Sequence, residues 1–200
     1  LSSHDIMADE LKRRLVHASG SGLVVLYLLA DALELGLTWF RFQLLLILLA
    51  TGALVLEFLR LQVGLDWRLY DVLTREYEQD NPGAYALYLI SMAAVVVVFE
   101  PAIALPAMLM LALGDPISGT VSDNTLQRIK PPKVLITMFL VSTVVAIPFL
   151  PLAVAMIAAL GATLADGITL EIRTYIIDDN LTIPIYAACL AWLALQFTPA

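Results

Sequence analysis

The sequence predicts an all-α polytopic membrane bundle of about seven transmembrane helices, and three observations predict it. Hydrophobic residues make up 60% of the chain and charged ones 14%, with a mean hydropathy of +0.88, more apolar surface than a soluble globule of 200 residues can hide. The apolar residues fall into seven runs separated by polar segments. The cations gather at one set of run ends, as the positive-inside rule requires of a multi-pass protein.

The runs extend from Val16 to Leu37, Phe42 to Leu61, Ala84 to Phe99, Pro101 to Leu113, Val134 to Leu150, Leu152 to Ala165 and Leu181 to Phe197. A straight helix needs about 20 residues to cross the hydrocarbon. Only the second and last runs read as unambiguous spans. The third with the fourth, and the fifth with the sixth, read as tight helical hairpins whose tips are "FEPAI" and "PFLPL". Proline breaks a helix interior but opens a helix readily, so each pair returns to the side it left.

Lys12, Arg13, Arg14, Arg60, Arg68, Arg75, Arg128, Lys130, Lys133 and Arg173 then lie on one side, and Arg41 alone on the other. This orientation gives a cytoplasmic N-terminus and an external C-terminus in the cell membrane, with Trp39 and Phe40 as an external aromatic anchor. It also places four polar segments, residues 8–20, 62–83, 114–133 and 166–180, at the cytoplasmic surface of a single integral domain over 1–200. "KRR" before an apolar run imitates a secretory signal, but no small-residue cleavage pattern follows Ala30, so the segment is expected to be retained. Met7 in "MADELKRRL" reads as a start residue.

The net charge of −7, with three lysines against eight arginines, argues against nucleic acid, because neutralising phosphates takes clustered cations. Cys189, the one cysteine, excludes an intramolecular disulfide.

Each polar segment has a bland and a chemical reading. "ELKRRLVHASGSG" stacks Glu10 over Arg14 and Arg13 over His17 at helical spacing; it is a topogenic basic flank, or a cluster in which Arg13 and Arg14 grip phosphate oxygens in bidentate fashion. His17 has no second histidine or cysteine at ligand spacing and reads as a supporting residue. "LDWRLYDVLTREYEQDNPGAY" carries an amphipathic pattern that suits a surface helix, with Arg75 and Glu76 on its polar faces. Glu57 and Arg60, just inside the second run, are costly unless paired or turned toward a polar cavity, and so are expected to line a site. "LALGDPISGTVSDNTLQRIKPPK" ends an apolar helix with Gly-Asp-Pro. That is an ordinary stop, or a place where amides at Gly114 and Gly119 approach phosphate while Asp115 holds a divalent cation. Lys130 and Lys133 add positive charge beside it. In "ADGITLEIRTYIIDDNLTIPI", Asp178, Asp179 and Asn180, with Asp166 and Glu171 nearby, supply hard oxygen ligands of the kind magnesium takes with a nucleotide phosphate. One of the three also suits the cap of the last helix.

Taken in order, "ELKRRLVHASG", "LEFLRL" with "TREYE", "LALGDPISG" and "DDNLTIP" resemble the CTP-dependent lipid kinases, the family of dolichol kinase, phytol kinase and CTP-dependent diacylglycerol kinase. The likeness runs from Glu10 to about Pro184, and the acidic, lysine-poor composition suits its members from salt-loving archaea. The resemblance implies transfer of the gamma phosphate of CTP to the hydroxyl of an isoprenoid alcohol at the cytoplasmic face, with Mg2+. It implies phosphate contacts from Arg13 and Arg14, metal ligation by Asp115 and by Asp178 or Asp179, and nucleotide approach at Gly114 and Gly119. Where the family continues with a glycine-rich, lysine-bearing loop, this chain reads "TLQRIKPPKVLITM", a departure that bears on Lys130, Lys133 and the nucleotide preference. The rivals are a membrane cytidylyltransferase that forms a CDP-lipid and a small transporter, which calls for polar residues at the bilayer midplane.

Overall fold

The computed structural model describes residues 17–65, 67, 70, 74, 81–122, 128–168, 170–172 and 175–198. Arg13, Arg14, Arg75 and Glu76, the expected surface helix around them, and the side chain of Glu171 lie outside the described residues.

The architecture is a helical bundle. Its elements are α1 (Ser21–Ala32), α2 (Trp39–Phe58, prolonged by a π-helical turn Leu59–Val63), α3 (Ala84–Val98), α4 (Pro101–Leu109), a second π-helical turn (Met110–Gly114) leading into α5 (Asp115–Thr120), α6 (Pro132–Ala146), α7 (Leu152–Gly167) and α8 (Asp179–Gln196). Every apolar run contributes a helix. Among the described residues the departure from all-α is a small antiparallel hairpin, β1 (Leu170–Ile172) with β2 (Tyr175–Ile177), paired in the register Leu170↔Ile177 and Ile172↔Tyr175. Its sequence, "LEIRTYII", is rich in the β-branched and aromatic residues that favour a pleated ribbon.

Prolines and polar caps set the helix boundaries. Glu100 and Pro151 are extended just before α4 and α7 begin, and Pro131 does the same before α6, so both expected hairpin tips form. Gly-Asp-Pro is not a helix stop, however. Pro116 has no N–H to give the carbonyl of Ala112, and its ring crowds that carbonyl. The wider π turn at Met110–Gly114 absorbs the misfit, and the helix continues to Thr120.

The α4 helix is the axis of the bundle: Ile103 through Met108 are buried without a break. The same buried core takes in Met92, Val96, Met138 and Ile183 from α3, α6 and α8 and Val24 from α1, with Phe42 and Leu46 from α2. Close approach is set by small residues. A Cβ on Gly161 of α7 would come within 2.8 Å of the Tyr186 carbonyl oxygen on α8, so the crossing of these two helices depends on the bare backbone there.

Many large apolar side chains lie on the outside of this bundle. Leu48, Phe58, Val98, Leu140, Val144, Leu152 and Trp192 are exposed, while Ser91, Ser142, Thr163 and Asp166 are buried. Two helices, Trp39–Val63 of 25 residues and Pro101–Thr120 of 20, are long and apolar enough by length and composition to cross a membrane; Ala84–Val98, Pro132–Ala146 and Leu152–Gly167 are apolar but shorter.

Candidate metal centre

Polar residues from five segments converge at one end of the bundle. Asp115 opens α5 directly after the π turn, Asp166 sits in the last turn of α7 and Asp179 in the first turn of α8. One carboxylate oxygen from each of the three lies within 4.8 Å of the others. Lys130, just ahead of α6, places its Nζ 2.6 Å from Asp166 Oδ1 and 3.2 Å from Asp179 Oδ2. On the other flank, His17 Nδ1 is 3.5 Å from Asp115 Oδ2.

Local structure fixes each group. Lys130 donates its backbone N–H to the Gly167 carbonyl at 2.9 Å, and Ile129 pairs with Ile168, which ties the segment before α6 to the end of α7. Asp178 caps α8: its Oδ1 accepts from the Asn180 backbone N at 2.8 Å and from Asn180 Nδ2 at 2.6 Å. Pro184 lacks the N–H that would have bonded the Asn180 carbonyl one turn back. Ser91 Oγ of α3 donates to that carbonyl at 2.7 Å, in a buried position. The "DDNLTIP" stretch therefore divides its work between a cap, a cluster carboxylate and a carbonyl tethered to α3.

His17 is held from behind. Tyr88 Oη donates to the His17 carbonyl at 3.2 Å, and the two rings meet edge to face with centroids 4.7 Å apart. Gly20 makes room for this, since a Cβ there would overlap the Tyr88 hydroxyl. Burial pushes the His17 imidazole down to about 4, against the pull of Asp179 and of the Leu111 carbonyl, so the ring is neutral at physiological pH. For Lys130 burial also opposes the charged form, but Asp179, Asp166 and Asp115 outweigh it and raise the ammonium above its usual value. It stays protonated.

No protein-family model, curated protein or solved structure matches this chain.

The donor set itself favours a hard cation. Three carboxylates packed this closely repel one another unless protons or cations neutralise them: burial and the neighbouring acids raise the Asp115 carboxyl well above its usual value, burial raises Asp166 to about 6, and Lys130 supplies a single positive charge. Asp166 is 3% exposed, and its Oδ2 is buried with no hydrogen-bond partner. A buried carboxylate oxygen left unmatched is expensive, and an oxygen-ligated divalent ion such as Mg2+ would satisfy it.

Of the expected site residues, the structure brings together Asp115, Asp179, Lys130 and His17, with Asn180 alongside. The three-carboxylate group comprises Asp115, Asp166 and Asp179, while Oδ1 of Asp178 serves the α8 cap. Gly114 is buried, and a Cβ there would lie 2.8 Å from Met138 Sδ and 3.2 Å from Ser142 Oγ; its bareness admits α6 rather than a nucleotide. Gly119 lies inside α5, not in an open loop. Lys133 is exposed in the first turn of α6.

Glu57 and Arg60 do not line this site. Arg60 Nη2 bonds Glu57 Oε2 at 2.7 Å and the Asn81 carbonyl at 2.6 Å, while the Gly83 N–H donates to Glu57 Oε2 at 2.9 Å. The pair locks the "NPG" turn onto the end of α2. The sequence did hold a signal for Asp166: a carboxylate in the last turn of an apolar helix faces the negative end of the helix dipole, and burial there calls for a cation.

Proposed function

We propose that the protein is a membrane-embedded phosphotransferase that moves the gamma phosphate of CTP to the hydroxyl of an isoprenoid alcohol of the dolichol or polyprenol type. The observation that carries this reading is the cluster of Asp115, Asp166 and Asp179, bridged by Lys130, at one end of a bundle whose outer surface is apolar. Exposed Leu, Ile, Val and Phe on every outer helix suit a lipid surround better than water, and the helices following the seven runs are read as seven crossings. The sequence places the cations at the run ends that lead into the cluster's segments, which supports a site at the cytoplasmic face of the cell membrane.

Phosphoryl transfer asks mainly for positioning and charge neutralisation. Asp115, Asp166 and Asp179 are the residues that would hold Mg2+. When bound, that ion offsets the negative charge of the donor phosphates and of the reacting phosphoryl group. Lys130 spaces Asp166 and Asp179 and adds a fixed positive charge at the phosphate side. Arg13 and Arg14, by the family resemblance, contact the nucleotide phosphates. The acceptor's prenyl chain stays in the bilayer while its hydroxyl reaches the charged end, which explains why a kinase is built on so many apolar helices.

The test is label transfer in purified membranes from gamma-labelled CTP and ATP, and from alpha-labelled CTP, into polyprenols, geranylgeraniol and glycerolipids. Gamma label in a lipid monophosphate is expected. Alpha label retained in a CDP-lipid makes the protein a cytidylyltransferase instead, and no label in any lipid removes the enzyme reading.

A further inference from the structure

We propose that the cluster is a one-metal centre in which the Lys130 ammonium occupies the position that many carboxylate-rich phosphoryl-transfer sites give to a second divalent ion. The inference rests on the functional reading above for its relevance, and on the local geometry for its content.

Two-metal centres hold their ions about 3.5–4 Å apart, with carboxylates bridging or flanking them. Here Nζ of Lys130 already lies between two of the three carboxylates, at 2.6 Å from Asp166 Oδ1 and 3.2 Å from Asp179 Oδ2. The lysine is not on a free arm: its backbone N–H is bonded to the Gly167 carbonyl and prolines follow at 131 and 132. Asp166 is split between two duties. Its Oδ1 serves the ammonium, and its Oδ2, in a side chain with no exposure, has no partner. That oxygen is unmatched on a buried carboxylate of the same group in which one oxygen each of Asp115, Asp166 and Asp179 lie within 4.8 Å of one another.

The charges agree for the cation-bound state: with all three carboxylates ionised, they and one ammonium sum to −2, which a single divalent cation cancels. A second divalent ion would leave the buried cluster at +2, a costly state away from water. Removing the ammonium returns the cluster to −3 and opens the place it filled.

Mn2+ serves as the probe, counted by electron paramagnetic resonance on the full chain in lipid nanodiscs, with D115N as the blank so that only ions lost in that variant are scored. The wild type is expected to bind one ion per chain. K130A is expected to bind two, with K130M carrying the same test if K130A does not fold, and K130R is expected to stay at one. D166N should weaken binding by about 10- to 100-fold. Two ions or none in the wild type overturns the proposal, and so does a count of one in both K130A and K130M. Phosphate transfer is not read here: a count of one in a protein that transfers no phosphate removes the kinase reading and leaves the stoichiometry standing.

Discussion

Two buried charge clusters sit at the same end of the bundle, each beside a π-helical turn, and they are built to opposite ends. Glu57 and Arg60 form a closed set. One acid meets one base, the Gly83 amide takes a further lone pair of the acid, and the Asn81 carbonyl takes a further proton of the base. At the other cluster, three acids face one lysine and an oxygen of Asp166 is left over. A balanced, hydrogen-bonded pair spends its interactions on holding two segments together. An unbalanced one retains the capacity to take a cation, and that distinction separates scaffold from site more reliably than burial of charge alone.

The comparison can be broken most forcefully at the open cluster. D115N and D179N are each expected to reduce label transfer to background with insertion and helicity unchanged, whereas E57Q should transfer phosphate at near wild-type rate per folded molecule. Loss of transfer in E57Q with wild-type stability would erase the distinction. Next in size is the closed cluster's own cost. E57A removes the acid that Arg60 and the Gly83 amide bond, and breaking such a pair costs about 3–5 kcal/mol; unfolding in mixed micelles reads it, and a loss below about 1 kcal/mol would mean that water or other partners already satisfy the arginine.

A smaller effect sharpens how the open cluster is held. S91A strands the Asn180 carbonyl that Pro184 has freed, at about 1–3 kcal/mol, and S91T should restore most of it. Stability unchanged in S91A would show that another donor reaches that carbonyl. The smallest expected effect separates neighbours in sequence: D178A removes a helix cap worth about 1 kcal/mol and should leave Mn2+ affinity intact. A tenfold fall in affinity would instead place Asp178 among the ligands.

Much of the fold was legible because hydrophobic runs of helical length leave few alternatives: all seven produced helices, and those of the fourth, fifth and sixth runs begin at or just after prolines that the sequence displayed. The continuation through Gly-Asp-Pro was not legible. Proline after an apolar run reads as a stop, and only the π turn shows how the chain passes it. In the site, Asp115 and Asp179 stood out by their company, Gly-Asp-Pro and consecutive acids. Asp178 and Asp179 look equivalent in sequence, while the helix start turns an oxygen of the first back to cap the backbone and brings the second into the three-acid group. Asp166 was seen only as a nearby donor, since its position depends on where α7 ends against the segment carrying Lys130. Glu57 and Arg60 were expected at the site because sequence reveals that charges are buried but not which partners close around them.

The exchange of Asp178 for Asp166 offers the most direct test of the central claim, that three carboxylates meeting in space form one cation site for phosphate transfer. Gamma-label transfer to a polyprenol across a Mg2+ titration should be lost in D166N and retained, with an unchanged Mg2+ requirement, in D178N. Retained transfer in D166N together with its loss in D178N would contradict the account.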